Sequence, residues 1–223
     1  MTLKYEITGI QHSHREGLYR ICALRGYFKI QCQSRDLGGY IESEWNLSQE
    51  GDCWIGGDAT VHGSGQVYNN AWVFENAQVF SNRFGNSSMP DVTHVFGNAF
   101  VYGKARVFEN AHIYDNAKVH DQAMVFGNAH IYDNAQVYKK PRIFGNVHIF
   151  GNAQVSGDAW VSDDVEIYDF MQVSEWVSIN SNKQLYYADG VTAFLLGKTI
   201  AINCSASNSD IEQHKMLARL KLS

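Results

Sequence analysis

Four of the nine histidines in this chain, His94, His112, His130 and His148, follow one another at intervals of 18 residues, and Glu166 takes the next place in the series. Two residues after each of these five stands an aromatic side chain: Phe96, Tyr114, Tyr132, Phe150 and Tyr168. Imidazole is the side chain whose proton affinity lies closest to neutrality, so such a row can take a proton from a hydroxyl or an amine, or change its charge together in mild acid. The cysteines carry no comparable pattern. Cys22, Cys32, Cys53 and Cys204 form no CxxC pair and have no histidine at zinc-finger spacing, so reduced structural thiols are expected and no metal site.

An interval of 18 is three times six, and six is the period that organises the chain. An aliphatic residue recurs every sixth position from Ile55 to Val79 and again from Val95 to Ile179, giving twenty hexads. Four residues after most of them sits a small residue, usually alanine, in units such as VFGNAF and IYDNAK. Six residues supply one short strand and one tight corner, so three units close a triangular coil. The aliphatic side chain points inward, and the alanine fits where the corner leaves little room. Gly, Asn and Asp before the alanine supply residues that tolerate left-handed backbone angles. Coils about 4.8 Å apart then place residues 18 apart in columns. The histidine column and the aromatic column share one flat, and the other two flats are mixed, with Phe100, Lys118, Gln136 and Gln154 on one and Arg106, Met124, Arg142 and Trp160 on the other.

Composition narrows the function classes. A chain of 223 residues, 45% hydrophobic and carrying a formal charge of −5, fits one soluble domain, and no run of Lys and Arg supplies a basic field for nucleic acid. No signal-peptide-like or membrane-length apolar run occurs, so a cytoplasmic address without membrane contact is expected. No GxGxxG, phosphate-binding GxxxxGK or nucleophile elbow is present.

The hexad pattern, an aliphatic first position and a small fifth one over most of residues 55 to 179, resembles the hexapeptide-repeat acyltransferase superfamily. The second position departs from it, with Phe96, Tyr102, Phe108, Tyr114, Phe126 and Tyr132 where the superfamily usually has a small residue. The resemblance implies an all-β fold, a left-handed parallel β-helix. It implies an acyltransferase, acetyltransferase in kind, that uses acetyl-CoA or another acyl-CoA as cosubstrate, without a tightly held cofactor. A histidine would act as general base, and His112, His130 and His94 match that place. It also implies a homotrimer whose subunits meet along the flat bearing His94, His112, His130, His148, Tyr114 and Tyr132. A prism enzyme of carbonic-anhydrase type needs two zinc-binding histidines five residues apart, and no pair here has that spacing. An ice-binding prism needs a threonine column, and the six threonines form none.

The repeat divides the chain into three parts. Residues 1–52 alternate apolar and polar as in a β-hairpin cap, followed by the lead-in DLGGYIESEWNLSQEGDCWI, which resembles the segment before GNA-type repeats in bacterial and phage proteins. Residues 53–180 form the prism, broken by a loop insertion over 80–94. Residues 181–223 hold strand-like runs and a capping helix opened by a Ser209/Glu212 capping box. Caps at both ends oppose open-ended stacking. The rival to the enzyme is a non-catalytic β-helical interaction scaffold, in which the even repeat serves only to display flat surfaces.

Overall fold

The structure, a computed structural model, describes residues 3–24, 35–80, 92–174 and 177–181, and the backbone of strands within 185–203. It is an all-β parallel solenoid. Each hexad contributes a strand of two or three residues, and the strands stack in register into three sheets, of ten, seven and six strands. All twenty aliphatic residues from Ile55 to Ile179 are at most 1% exposed, and the alanines four residues further on, Ala99 and Ala117 among them, are fully buried. The expected interior is thus the observed one. Backbone groups pair with the next coil throughout, as in His112 N–H to Ala129 C=O at 2.9 Å and Tyr114 N–H to Ile131 C=O at 3.0 Å. That pairing uses the polar main-chain groups a thin core could not otherwise satisfy.

The corners refine the expectation. Of the two polar residues before each alanine, only the first is left-handed, at Gly97 (φ 68°), Asp115 (φ 55°) and Asp133 (φ 56°) on one corner. The asparagine that follows does a different job. Its side-chain amide donates to the asparagine one coil on, Asn98 to Asn116 at 3.2 Å and Asn116 to Asn134 at 3.3 Å. A second row runs Asn110, Asn128, Asn146 and Asp164. These amide rows lock one coil's corner onto the next.

At the N-terminal end, β1 (Tyr5–Gln11) and β2 (Tyr19–Ala23) form the expected antiparallel hairpin. β2 is antiparallel to β3 (Leu37–Ile41), which in turn runs parallel to Thr60–His62, so the hairpin continues the ten-stranded sheet. Within the lead-in, Leu47 bridges Val67 in parallel. A side chain at Gly39 would sit 2.5 Å from the Ala59 carbonyl oxygen, which explains why β3 crosses this place as glycine. The buried Asn46 accepts from the backbone of Glu42 and Ser43 and donates to the carbonyls of Gly63 and Gly65, tying the lead-in to the coil beneath. Lys4, also fully buried, donates through Nζ to the Cys53 carbonyl at 2.9 Å and to Cys53 Sγ at 3.0 Å.

Second-position aromatics lie outside the prism, and on the ten-stranded sheet Phe108 is covered by the Arg106 guanidinium, whose carbon lies 5.5 Å from its ring centre, and is buried. At the C-terminal end Leu185–Ala188, Val191–Leu196 and Thr199–Asn203 pair as an antiparallel sheet. The helix expected from Ser209, and residues 81–91 of the insertion, lie outside the described residues. No helix among the described residues is long and apolar enough to cross a membrane.

Candidate functional site

The six-stranded sheet carries the histidines in one unbroken column, Gln66, His94, His112, His130, His148 and Glu166, each directly opposite the next. Because the register is fixed by the buried aliphatics beside them, Val67 through Ile167, the imidazoles have no freedom to slip to another face. Their ring centres are 4.8, 4.7 and 4.9 Å apart from His94 to His148, and the last pair is stacked nearly parallel at 2°. Beside them runs the aromatic column Tyr68, Phe96, Tyr114, Tyr132, Phe150 and Tyr168, stacked at 4.9 to 5.7 Å. The two columns touch edge to face, Tyr114 with His130 at 6.1 Å and Tyr132 with His148 at 6.2 Å.

This packing sets the electrostatics. Burial among rings lowers the proton affinity of His94, and burial followed by the neighbouring His94 lowers that of His112. His130, between two imidazoles, is pushed down to about 4, first by burial and then by His112 and His148. Desolvation therefore outranks the mutual repulsion that the spacing alone emphasises. Tyr114 is pushed up to about 12, first by burial and then by Tyr132, so its phenol stays protonated. Along this sheet no Asp, Glu, Lys or Arg occupies an outward strand position from Gln66 to Phe150.

All three histidines proposed as a base, His94, His112 and His130, are thus brought together on one flat. What they lack is an orienting group. Among the described residues no carboxylate or carbonyl accepts a hydrogen bond from any imidazole of the column, whereas a general base is ordinarily held by a third group. The interval of 18 also passes over two histidines of the coils that stack on other rings. His120 is sandwiched between Tyr102 and Tyr138 at 4.6 and 5.4 Å, with Nδ1 3.4 Å from Asp121. His62 stacks on Phe80 at 5.1 Å and is bonded to Arg15 at 3.0 Å; burial and then Arg15 lower its proton affinity. Both belong to columns of mixed ring types, which a search for one repeated residue does not find. No group of three or more His, Cys, Asp or Glu among the described residues is arranged to hold a metal ion.

Two grooves lie beside or away from the histidines themselves. A groove of about 590 Å³ is lined by Gln122, Met124, Lys140, Arg142, Asp158 and Trp160, and another of the same volume by Trp45, Gln66 and Tyr68 at the start of the histidine flat. A substrate groove bordered by the histidine flat and the insertion, as the superfamily resemblance implies, would involve residues 81–91, which lie outside the described residues. Set against protein families and curated proteins, the sequence matches no family model and no curated protein.

Proposed function

We propose that this protein is a non-catalytic binding scaffold that assembles with copies of itself through the histidine flat. The observation that carries this reading is the face of stacked half-buried rings, free of Asp, Glu, Lys and Arg at its outward strand positions for about 19 Å from Gln66 to His148 at 4.8 Å per coil. Protein interfaces are depleted in charge and enriched in Tyr and Phe at their centres, and this face has that composition without interruption. A second copy, carrying the same flat column, is the natural complement, as in self-complementary contacts generally. The imidazoles contribute polar edges that need no counter-ion while neutral. Light scattering over a dilution series at pH 7.5 tests this. A mass above that of the 25.1 kDa chain, falling on dilution or in acid, is expected; a single-chain mass at every concentration overturns it.

A second reading, acyl transfer, is favoured by one observation: the histidines proposed as base are held in their neutral, proton-accepting form. In that reaction His112, His130 or His94 would take the proton of an acceptor hydroxyl or amine as its oxygen or nitrogen attacks the thioester carbon of an acyl-CoA. The C–S bond would break, and the proton would pass to the departing thiolate. Thiol release from acetyl-CoA in the presence of mixed hydroxyl and amine acceptors, abolished by His112→Ala, His130→Ala or His94→Ala, would establish it over the scaffold.

A further inference from the structure

In sequence the positive charges of the repeat region look scattered, and no cluster is visible. The coil gathers them. Lys104, Arg106, Lys118, Lys139, Lys140 and Arg142 are the described Lys and Arg residues between 54 and 181, and all six are exposed. None lies on the histidine flat. Lys104, Lys139 and Lys140 occupy the corner between the seven-stranded and ten-stranded sheets, Arg106 and Arg142 begin the strands that follow it, and Lys118 begins the strand before it. A chain with a formal charge of −5 thus carries one basic edge. Among the described residues none of the six forms an ion pair with a carboxylate. Two acids of this corner are already engaged: Asp121 accepts from the Lys139 backbone at 2.9 Å and Glu75 from that of Gly103 at 2.9 Å.

The groove lined by Lys140, Arg142 and Trp160 lies on this edge. Trp160 is 47% exposed, and the Arg142 guanidinium lies over its ring, 4.7 Å from the centre, so a fixed cation is stacked on a partly exposed indole. Asp158 and Gln122 add an acceptor and a donor in the same groove. Register gives the cations a spacing: Arg106 and Arg142 are two coils apart through Met124, and Lys104 and Lys140 are likewise two apart, roughly 9–10 Å.

We propose that this edge is a binding site for an extended acidic polysaccharide, one that carries a carboxylate on its sugar rings. The chemistry fits in three ways. Sugar rings present apolar C–H faces that pack on indole, and Trp160 offers one. Their hydroxyls need mixed donors and acceptors, which Gln122 and Asp158 supply. An extended sugar chain advances by about one ring per coil, so carboxylates on alternate rings meet cations on alternate coils. A nucleic acid fits less well, because its closely spaced phosphates would be forced against Asp158 and its bases call for several successive exposed rings.

Isothermal titration with an oligogalacturonate of six to eight sugars at low salt tests the proposal on the intact chain. Binding is expected, weakening as salt is raised to the range where exposed charges are screened. Lys140→Glu/Arg142→Glu should weaken it by about tenfold or more, and Trp160→Ala should weaken it while leaving its salt dependence intact. A neutral cello-oligosaccharide should not bind measurably. The His112→Glu/His130→Glu variant should bind the oligogalacturonate as the native chain does, which separates this site from the self-association face. Absence of binding at low salt, equal binding by a folded Lys140→Glu/Arg142→Glu variant, or equal or tighter binding of an oligothymidylate of matched charge would each overturn it.

Discussion

His130 is the residue on which the neutral face depends most, because it has an imidazole on either side and its protonation would place a charge among rings. Two charged imidazoles 4.7 Å apart would repel by up to about 3.5 kcal/mol at an effective dielectric of 20, and by less where water screens them. The sign of the pH effect follows directly. The unfolded or dissociated chain takes up protons near pH 6.5, while His130 in the folded chain does so only near 4 and His94 and His112 below their ordinary value. Below pH 6.5 the unfolded state therefore binds more protons, and stability must fall as the pH is lowered from 6.5 toward 4. We predict a melting temperature that is level above pH 6.5 and declines below it, with a smaller decline in His112→Gln/His130→Gln. Equal losses in both proteins would remove the column as the cause. The columns of like residues were legible in the sequence because the interval of 18 repeats one residue type. The ranking of desolvation over repulsion was not, since it depends on how deeply the rings pack against Tyr114 and Tyr132.

Each coil is held by the buried aliphatic, the left-handed corner and the side-chain rows, and these differ in how much they contribute. Ile131→Ala removes a fully buried side chain between two neighbours of the same size, so it should cost about 2–5 kcal/mol of unfolding free energy. Tyr132→Ala, which loses ring stacking on a half-buried face, should cost about 1–2 kcal/mol by the same chemical denaturation. Gly97 separates backbone strain from side-chain bulk. A side chain at Gly97 would sit 2.7 Å from the Asp115 backbone nitrogen, so Gly97→Asp should destabilise although Asp115 and Asp133, the next residues in its column, hold the same positive φ, and the β-branched Gly97→Val should be markedly worse. If the two melt alike, the corner is not limited by its backbone angle. At the lead-in, Asn46→Ala takes the amide partner from the Gly63 and Gly65 carbonyls of the coil and the acceptor from the Ser43 amide, and should cost about 2–4 kcal/mol, losing the N-terminal end first in hydrogen exchange. The period announced the strands and the core. It was silent on Asn46 and on the asparagine rows, because nothing in a six-residue pattern distinguishes an amide that bonds along the stack from one that faces water.

Taken whole, the molecule is a prism with unequal faces. One flat is neutral and ringed with aromatics, and the corner opposite it is basic. That separation could not be read from composition, which reports only a small net negative charge, nor from local clustering, because the six cations are spread between residues 104 and 142. It becomes visible only when residues 18 apart are laid over one another. The expected break at the insertion leaves the stack intact on both sides: Thr93, buried in the position an alanine takes elsewhere, donates to the Phe80 and Glu109 carbonyls and returns the chain to register at His94. An even prism with unoriented imidazoles fits a surface for binding better than a site for chemistry. The most direct measurement of that claim is sedimentation velocity at pH 7.5 on the native chain and on His112→Glu/His130→Glu, whose two new charges would have to be buried at the centre of any contact made through this flat. The scaffold reading predicts that the native chain sediments as an oligomer and that the variant, with β-sheet circular dichroism and cooperative melting retained, sediments as a monomer. A native monomer, or a folded variant that associates as the native chain does, would contradict it.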